Sequence, residues 1–248
     1  MEGKTLYKIT IKYDDDHEEV KSLCRDCYDE ARTNQEVVEA KKIEQENLKL
    51  NQSLANVPKI FGTMTMEQFI DDPVMLHKYF SSDEMKRIAG IKEIMRKFLD
   101  AVRSGEGVMI ALVGDYGTGK TLVASVCVNI LIAEGRKARF EHTGLLIKRL
   151  MSNEVYEGTI LSLVENDLVV LDEINSTNVS QFTERALSDM INAIYSSRKS
   201  LILTANGTGS ELKKYIGEKG YDRIQESPSG GIVRCKWPSF RGTDVQSK

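Results

Sequence analysis

The chain has 248 residues, 41% hydrophobic and 29% charged, enough to bury one full core and leave a smaller appendage. A formal charge of −3 excludes a protein that coats nucleic acid through bulk positive charge, so any such contact has to be local. No apolar run approaches the roughly 20 residues that span a bilayer, and Met1–Tyr13 holds no cleavable apolar region, so no membrane is implied and cytoplasmic residence is expected.

In chain order, Thr5 to Tyr13 sets Tyr7, Ile9, Ile11 and Tyr13 against Leu6, Lys8, Thr10 and Lys12. This period of two predicts a strand, ended by Asp14-Asp15-Asp16. Residues 1–60 carry 10 Lys or Arg against 13 Asp or Glu, which places the acidic excess here. Cys24-Arg25-Asp26-Cys27 is a C-x-x-C with only His17 nearby. A structural zinc takes four ligands, so a metal would need donors from elsewhere; a pair of reduced thiols at a helix start is the other reading.

From 34 to 55 the chain is rich in Glu, Lys, Gln and Leu without Gly or Pro, which predicts a helix stopping before Pro58. Ala40, Ile43, Asn47, Leu50 and Leu54 form a narrow seam on it, suited to docking on a partner or to packing on its own domain. Residues 58–81, with Pro58, Gly62 and Pro73, read as a connecting segment. The expected division is thus an N-terminal domain over 1–57, a linker over 58–81 and a main domain over 82–248.

Ser82 can cap a helix with Met85, Ile88, Ile91, Met95, Phe98 and Val102 on its apolar side, broken by Gly105 and Gly107. Five apolar runs then alternate with helical ones: Val108–Val113, Ala138–Glu141, Leu168–Leu171, Leu201–Ala205 and Ile232–Lys236. Val169, Val170 and Leu171 are apolar consecutively, as in a strand covered on both faces, so the class is α/β with a five-stranded, parallel-rich sheet. Cys127 and Cys235 fall in apolar segments and are expected as free, buried thiols.

Gly114-Asp115-Tyr116-Gly117-Thr118-Gly119-Lys120-Thr121 matches G-x-x-x-x-G-K-[ST] between a strand and a helix that continues with Leu122. Glycines there let successive N–H groups turn toward phosphate oxygens, and the helix N-terminus adds partial positive charge. Lys120 is expected to reach the β- and γ-phosphates of ATP, and Thr121 to offer its hydroxyl to Mg²⁺. About fifty residues on, Asp167-Leu168-Val169-Val170-Leu171-Asp172-Glu173 is a strand ending in two acids, a Walker B pattern. Asp172 would hold the Mg²⁺ and Glu173 would orient and deprotonate water. Asn206, ending the run Leu201–Ala205, can hydrogen-bond both phosphate and water, or can simply be a turn residue before Gly207.

With the loop Gly114–Thr121, Asp172-Glu173-Ile174, Asn206, Tyr221-Asp222-Arg223-Ile224 and Trp237-Pro238-Ser239-Phe240-Arg241, the chain resembles bacterial replicative helicase loaders of the DnaC type, which are AAA+ ATPases. The similarity runs over roughly 65–248 and includes Met66-Glu67-Gln68-Phe69. The resemblance implies an AAA+ P-loop domain, with Asn206 as sensor 1, Arg223 as an arginine finger given to a neighbouring subunit, and Arg241 as the sensor 2 arginine. It implies a hexameric replicative helicase as partner, self-association through the ATP sites, and single-stranded DNA contact at Ser180 and Phe182. Surface ion pairing is the alternative for either arginine, and a place in the helix core the alternative for Phe182. The span from Asn206 to Lys248 is too short for the extra helical lid many AAA+ proteins carry. A transposition helper of the IstB type, or an adaptor for which ATP is only a structural ligand, shares the same core.

Overall fold

Strands apolar on both faces are stable only where helices cover both faces, and the inner runs Val108–Val113, Leu168–Leu171 and Leu201–Ala205 are buried in that way. The computed structural model describes residues 7–14, 17–23, 26, 29–30, 32–34, 42, 53, 55–62, 64, 80–151 and 156–240. Two compact units divide the chain, Met1–Leu50 and Asn51–Lys248.

In the first unit, β1 (Tyr7–Asp14) pairs antiparallel with β2 (His17–Leu23), from Tyr7 opposite Leu23 to Asp14 opposite His17. The register shifts between Lys12 and Asp14. The strand His17–Leu23 has no counterpart in the sequence reading, because His17-Glu18-Glu19 opens it without apolar alternation. The helix expected over 34–55 lies almost wholly outside the described residues, and so do Cys24 and Cys27.

In the second unit a short 3-10 turn, Lys59–Phe61, precedes α1 (Ser82–Ser104), followed by β3 (Met109–Gly114), α2 (Lys120–Ala133), β4 (Ala138–His142), α3 (Thr143–Leu150) and α4 (Tyr156–Val164). The unit continues with β5 (Leu168–Asp172), α5 (Gln181–Ser196), β6 (Ser200–Asn206), α6 (Gly209–Gln225) and β7 (Gly231–Cys235). Among the described residues no helix follows β7. The cap of α1 is Ser81 rather than Ser82. Its hydroxyl accepts from the Glu84 amide while the Glu84 carboxylate accepts from the Ser81 amide, a capping box that needs the acid three residues on. Gly105, at φ 76°, ends the helix in the left-handed region.

All five strands of the sheet run parallel, in the order β4-β5-β6-β3-β7. Side chains alternate across it. Met109, Ala111, Val113, Val169, Leu171, Leu201 and Leu203 face one cluster with Leu146 of α3, Leu163 of α4, Met190 of α5 and Ile216 of α6. On the other face lie α2 and, tied to it by the Arg103–Glu134 ion pair, α1. Ahead of α1, the described part of 55–64 lies on the sheet edge and on α2. The Ala55 carbonyl accepts from the Phe140 amide, and the Asn129 amide donates to the carbonyls of Phe61 and Met64. Cys127 and Cys235 are free and buried, and burial pushes both thiols up to about 12, which keeps them protonated and inert.

Candidate functional site

Because the strands are parallel, their carboxyl ends all reach one edge of the sheet. That edge gathers Gly114 from β3, His142 from β4, Asp172 from β5, Asn206 from β6 and Cys235 from β7. The loop from Gly114 to α2 turns through Gly117 and Gly119 at φ 78° and 83°, a conformation that a side chain would strain. The turn aims the first amides of α2 into the loop, with the positive end of the helix dipole behind them.

Lys120 is 6% exposed. Its ammonium donates to the carbonyls of Gly114 (3.0 Å) and Asp115 (2.7 Å) and to the Thr118 hydroxyl (3.3 Å), so all three of its protons are held within the loop. Burial pulls its pKa below the ordinary lysine range, partly opposed by the nearby carboxylates of Asp115, Asp172 and Glu173. Asp172, 3% exposed, shows the complementary effect. Burial raises its pKa, while hydrogen bonds from Thr204 and Thr121 lower it. Both hydroxyls donate to the same oxygen, Oδ1, at 2.6 Å from Thr204 and 3.0 Å from Thr121.

A hydroxyl and a carboxylate oxygen side by side are hard donors of the kind Mg²⁺ takes, with water and phosphate filling its remaining positions. The donor set therefore fits Mg²⁺. Among the described residues no group of three or more His, Cys, Asp or Glu forms an all-protein metal cage.

Glu173 sits at φ 52°, ψ 58°, where the chain leaves β5. This left-handed backbone is uncommon for a side-chain-bearing residue and typical of sites held by their surroundings. Its amide donates to the Thr204 hydroxyl, and its carboxylate lies 3.1 Å from His142 Nε2. Asn206 is gripped by Asn175, whose carboxamide donates to the Asn206 carbonyl and accepts from the Asn206 amide, both at 3.0 Å. His142, Thr204 and Asn175 are the residues sequence reasoning missed. Thr204 carried a signal, a lone polar residue inside the apolar run Leu201–Ala205. The other two depend on strand order and on the path of the chain after Glu173.

The segment after β7 straps the loop from above. Trp237 Nε1 donates to the Thr118 carbonyl at 3.1 Å, and the Phe240 amide donates to the Gly117 carbonyl at 2.8 Å. Beside Gly114 and Asp115 opens a cleft of about 960 Å³ walled by Thr208, Glu211, Arg234 and Trp237, a volume in the range of small-molecule sites. Tyr116 projects from the loop, 66% exposed.

Three expected site residues lie elsewhere. Arg223, near the end of α6, stacks its guanidinium 4.8 Å from the Tyr195 ring centroid, with Nη1 buried and unpartnered among the described residues. Tyr195 lies in the last turn of α5, shortly before β6 begins, so Arg223 stands at the edge of the sheet away from Lys120 and does not face its own loop. Ser180 caps α5 by accepting from the Thr183 amide, and Phe182 packs partly buried against the core, edge-on to Tyr156. Arg241, like Met66-Glu67-Gln68-Phe69, lies outside the described residues.

A five-stranded parallel sheet of this order, with a glycine loop after its inner strand β3 and an acid at the end of β5, defines a P-loop nucleotide-binding domain. The chain belongs to the IstB-like ATP binding protein family, whose profile matches residues 91–221, just over half of the chain. It is 28% identical over 134 residues to the replicative helicase loader DnaC of Buchnera aphidicola subsp. Baizongia pistaciae, and 25% identical over 133 residues to that of Escherichia coli K12. Each match covers 52% of this chain and 54% of the relative, so the chain spans about half the length of the curated relatives it matches. A crystal structure of the DnaC helicase loader superposes with a TM-score of 0.52 at 24% identity, covering 64% of this chain and 94% of that one. For DnaI the TM-score is 0.57 at 14% identity, covering 77% and 99%. These likenesses show the fold.

Proposed function

We propose that the chain is an ATP-hydrolysing switch that loads a hexameric replicative helicase onto single-stranded DNA. The observation that carries the nucleotide chemistry is the gathering of Lys120, Thr121, Asp172, Glu173 and Asn206 at one sheet edge, where Thr121 bonds Asp172 directly and Gly114, which accepts from Lys120, is the strand partner of Asn206. The client is supported by the likeness to relatives named as replicative helicase loaders.

On binding ATP, Lys120 exchanges the carbonyls of Gly114 and Asp115 for the β- and γ-phosphate oxygens, an exchange that restores a full counter-charge to a desolvated ammonium. The first amides of α2 cradle the same phosphates. Thr121 and Asp172 would hold Mg²⁺, which neutralises charge on the phosphate oxygens when bound. Glu173 turns from His142 to take a proton from water as the water oxygen bonds to the γ-phosphorus and the bond to the β–γ bridging oxygen breaks. Asn206 orients that water and the γ-phosphate.

Arg223 faces away from its own loop, which suits a finger offered to the neighbouring subunit once it leaves Tyr195, and Arg241 serves as the second sensor. Ser180 and Phe182 at the start of α5 are the DNA-contact candidates, with stacking as the mode. The seam over 34–55 is the helicase-docking element.

The test is co-purification of the full chain with a purified hexameric replicative helicase, with ATP and Mg²⁺ and without them. An ATP-dependent complex is expected. Steady ATP hydrolysis with no helicase complex in either condition would contradict the loader reading and favour the transposition-helper reading that the family name suggests.

A further inference from the structure

The ladder between β5 and β6 stops early. It pairs Leu171 with Leu203 and goes no further, although β6 continues to Asn206 and stays paired with β3 up to Gly114. The reason lies at Glu173, whose left-handed backbone turns the chain out of the sheet. The last residues of β6 therefore lose their main-chain partner on the β5 side just where the candidate site begins.

Two side chains replace the missing ladder. Thr204 bridges Asp172 Oδ1 and the Glu173 amide. Asn175, in the short helical turn Ile174–Ser176, then supplies Asn206 with both a donor and an acceptor, each bond 3.0 Å long. A primary carboxamide carries the same donor–acceptor pair as a peptide group, so it can trade both bonds as one residue of an antiparallel strand pair does. The Asn206 amide must face an oxygen and its carbonyl a nitrogen, so the orientation of the Asn175 amide is set by the pair itself. Neither Asp nor Ser at 175 could satisfy both groups in that plane. Both bonds go to the Asn206 main chain, so its side-chain amide is not consumed by them.

We propose that Asn175 is a positioning residue for ATP hydrolysis: a surrogate strand that fixes the Asn206 main chain against the chain leaving Glu173, so that the Asn206 carboxamide and the Glu173 carboxylate address the same water and γ-phosphate. The inference deepens the hydrolytic reading above and rests on it. Asn175 touches no reacting atom itself. Its effect passes through Asn206 and falls on turnover, because Lys120 and the loop amides that bind nucleotide make no bond to it.

The experiment compares full-length chains carrying Asn175→Ala, Asn206→Ala and both changes, measuring equilibrium ATP affinity, kcat, KM and melting temperature. Asn175→Ala is expected to keep ATP affinity within about threefold and to lower kcat about tenfold, the scale of losing two hydrogen bonds that hold a reacting geometry. The double variant is expected to turn over no more slowly than Asn206→Ala alone, since nothing is left for Asn175 to position. A purely structural role would lower kcat additively in the double variant, or weaken ATP binding in step with turnover, and either result overturns the proposal. Unchanged kcat in Asn175→Ala overturns it as well. If the unsubstituted chain binds ATP and never hydrolyses it, the hydrolytic reading fails and this inference falls with it.

Discussion

At the carboxyl ends of the strands, Lys120 and Asp172 are 6% and 3% exposed, whereas on the outer face of α1 the Arg96 and Glu93 side chains are 61% and 52% exposed while standing 3.0 Å apart. Both regions hold close opposite charges or charge–dipole contacts, yet the physics differs. Burial lowers the Lys120 pKa and raises that of Asp172, so each charge is held against its solvation preference. On α1 the Glu93 partner raises the Arg96 pKa, and water and salt screen the pair. Charges placed in a low-dielectric pocket at a cost to folding are the mark of a site prepared for a charged ligand, while those on α1 serve solubility and helix register.

The comparison can be broken first at Asp172. Asp172→Asn keeps an acceptor for the Thr121 and Thr204 hydroxyls but removes the buried charge. A carboxyl whose folded pKa is raised above its unfolded value stabilises the fold only below the unfolded pKa, and that contribution is lost as pH rises through the folded value; at neutral pH the buried charge is a cost. The variant is therefore expected to melt a few degrees higher, for a gain of about 1 kcal/mol, while Mg²⁺-dependent nucleotide binding weakens by roughly two orders of magnitude. Calorimetry with and without Mg²⁺ and ATP checks both signs together. The smallest effect belongs to α1. Arg96→Ala is expected to move the melting midpoint by less than about two degrees and to leave ATP binding unaltered, which parallel melting and binding measurements check.

Much of this site was legible from residue order because parallel, fully covered strands leave a strong trace. Leu168–Leu171 is a continuous apolar run and Leu201–Ala205 is broken only by Thr204, and the polar residues that end them, Asp172 and Asn206, mark the strand ends. The glycine loop was legible for the same reason, since Gly117 and Gly119 adopt backbone angles that other residues avoid.

What the residue order could not supply was adjacency. His142 reaches Glu173 only because β4 pairs with β5, and Asn175 reaches Asn206 only because the chain turns out of the sheet at Glu173. Strand His17–Leu23 escaped because a polar hairpin partner carries no periodic apolar signal, its pairing being written in its neighbour instead. The cap of α1 was displaced by one residue because two serines stand in tandem, and the position of Glu84 decides between them.

The most direct test of the central claim is the ATP affinity of Lys120→Ala, measured by equilibrium titration with Mg²⁺ on protein shown to be folded. Removing the one ammonium that the loop carbonyls hold is expected to weaken binding at least about a hundredfold, the scale of a lost charge-assisted contact in a desolvated site. An affinity unchanged from that of the parent chain would contradict the account, because Gly114–Thr121 would then not be the place where a triphosphate binds.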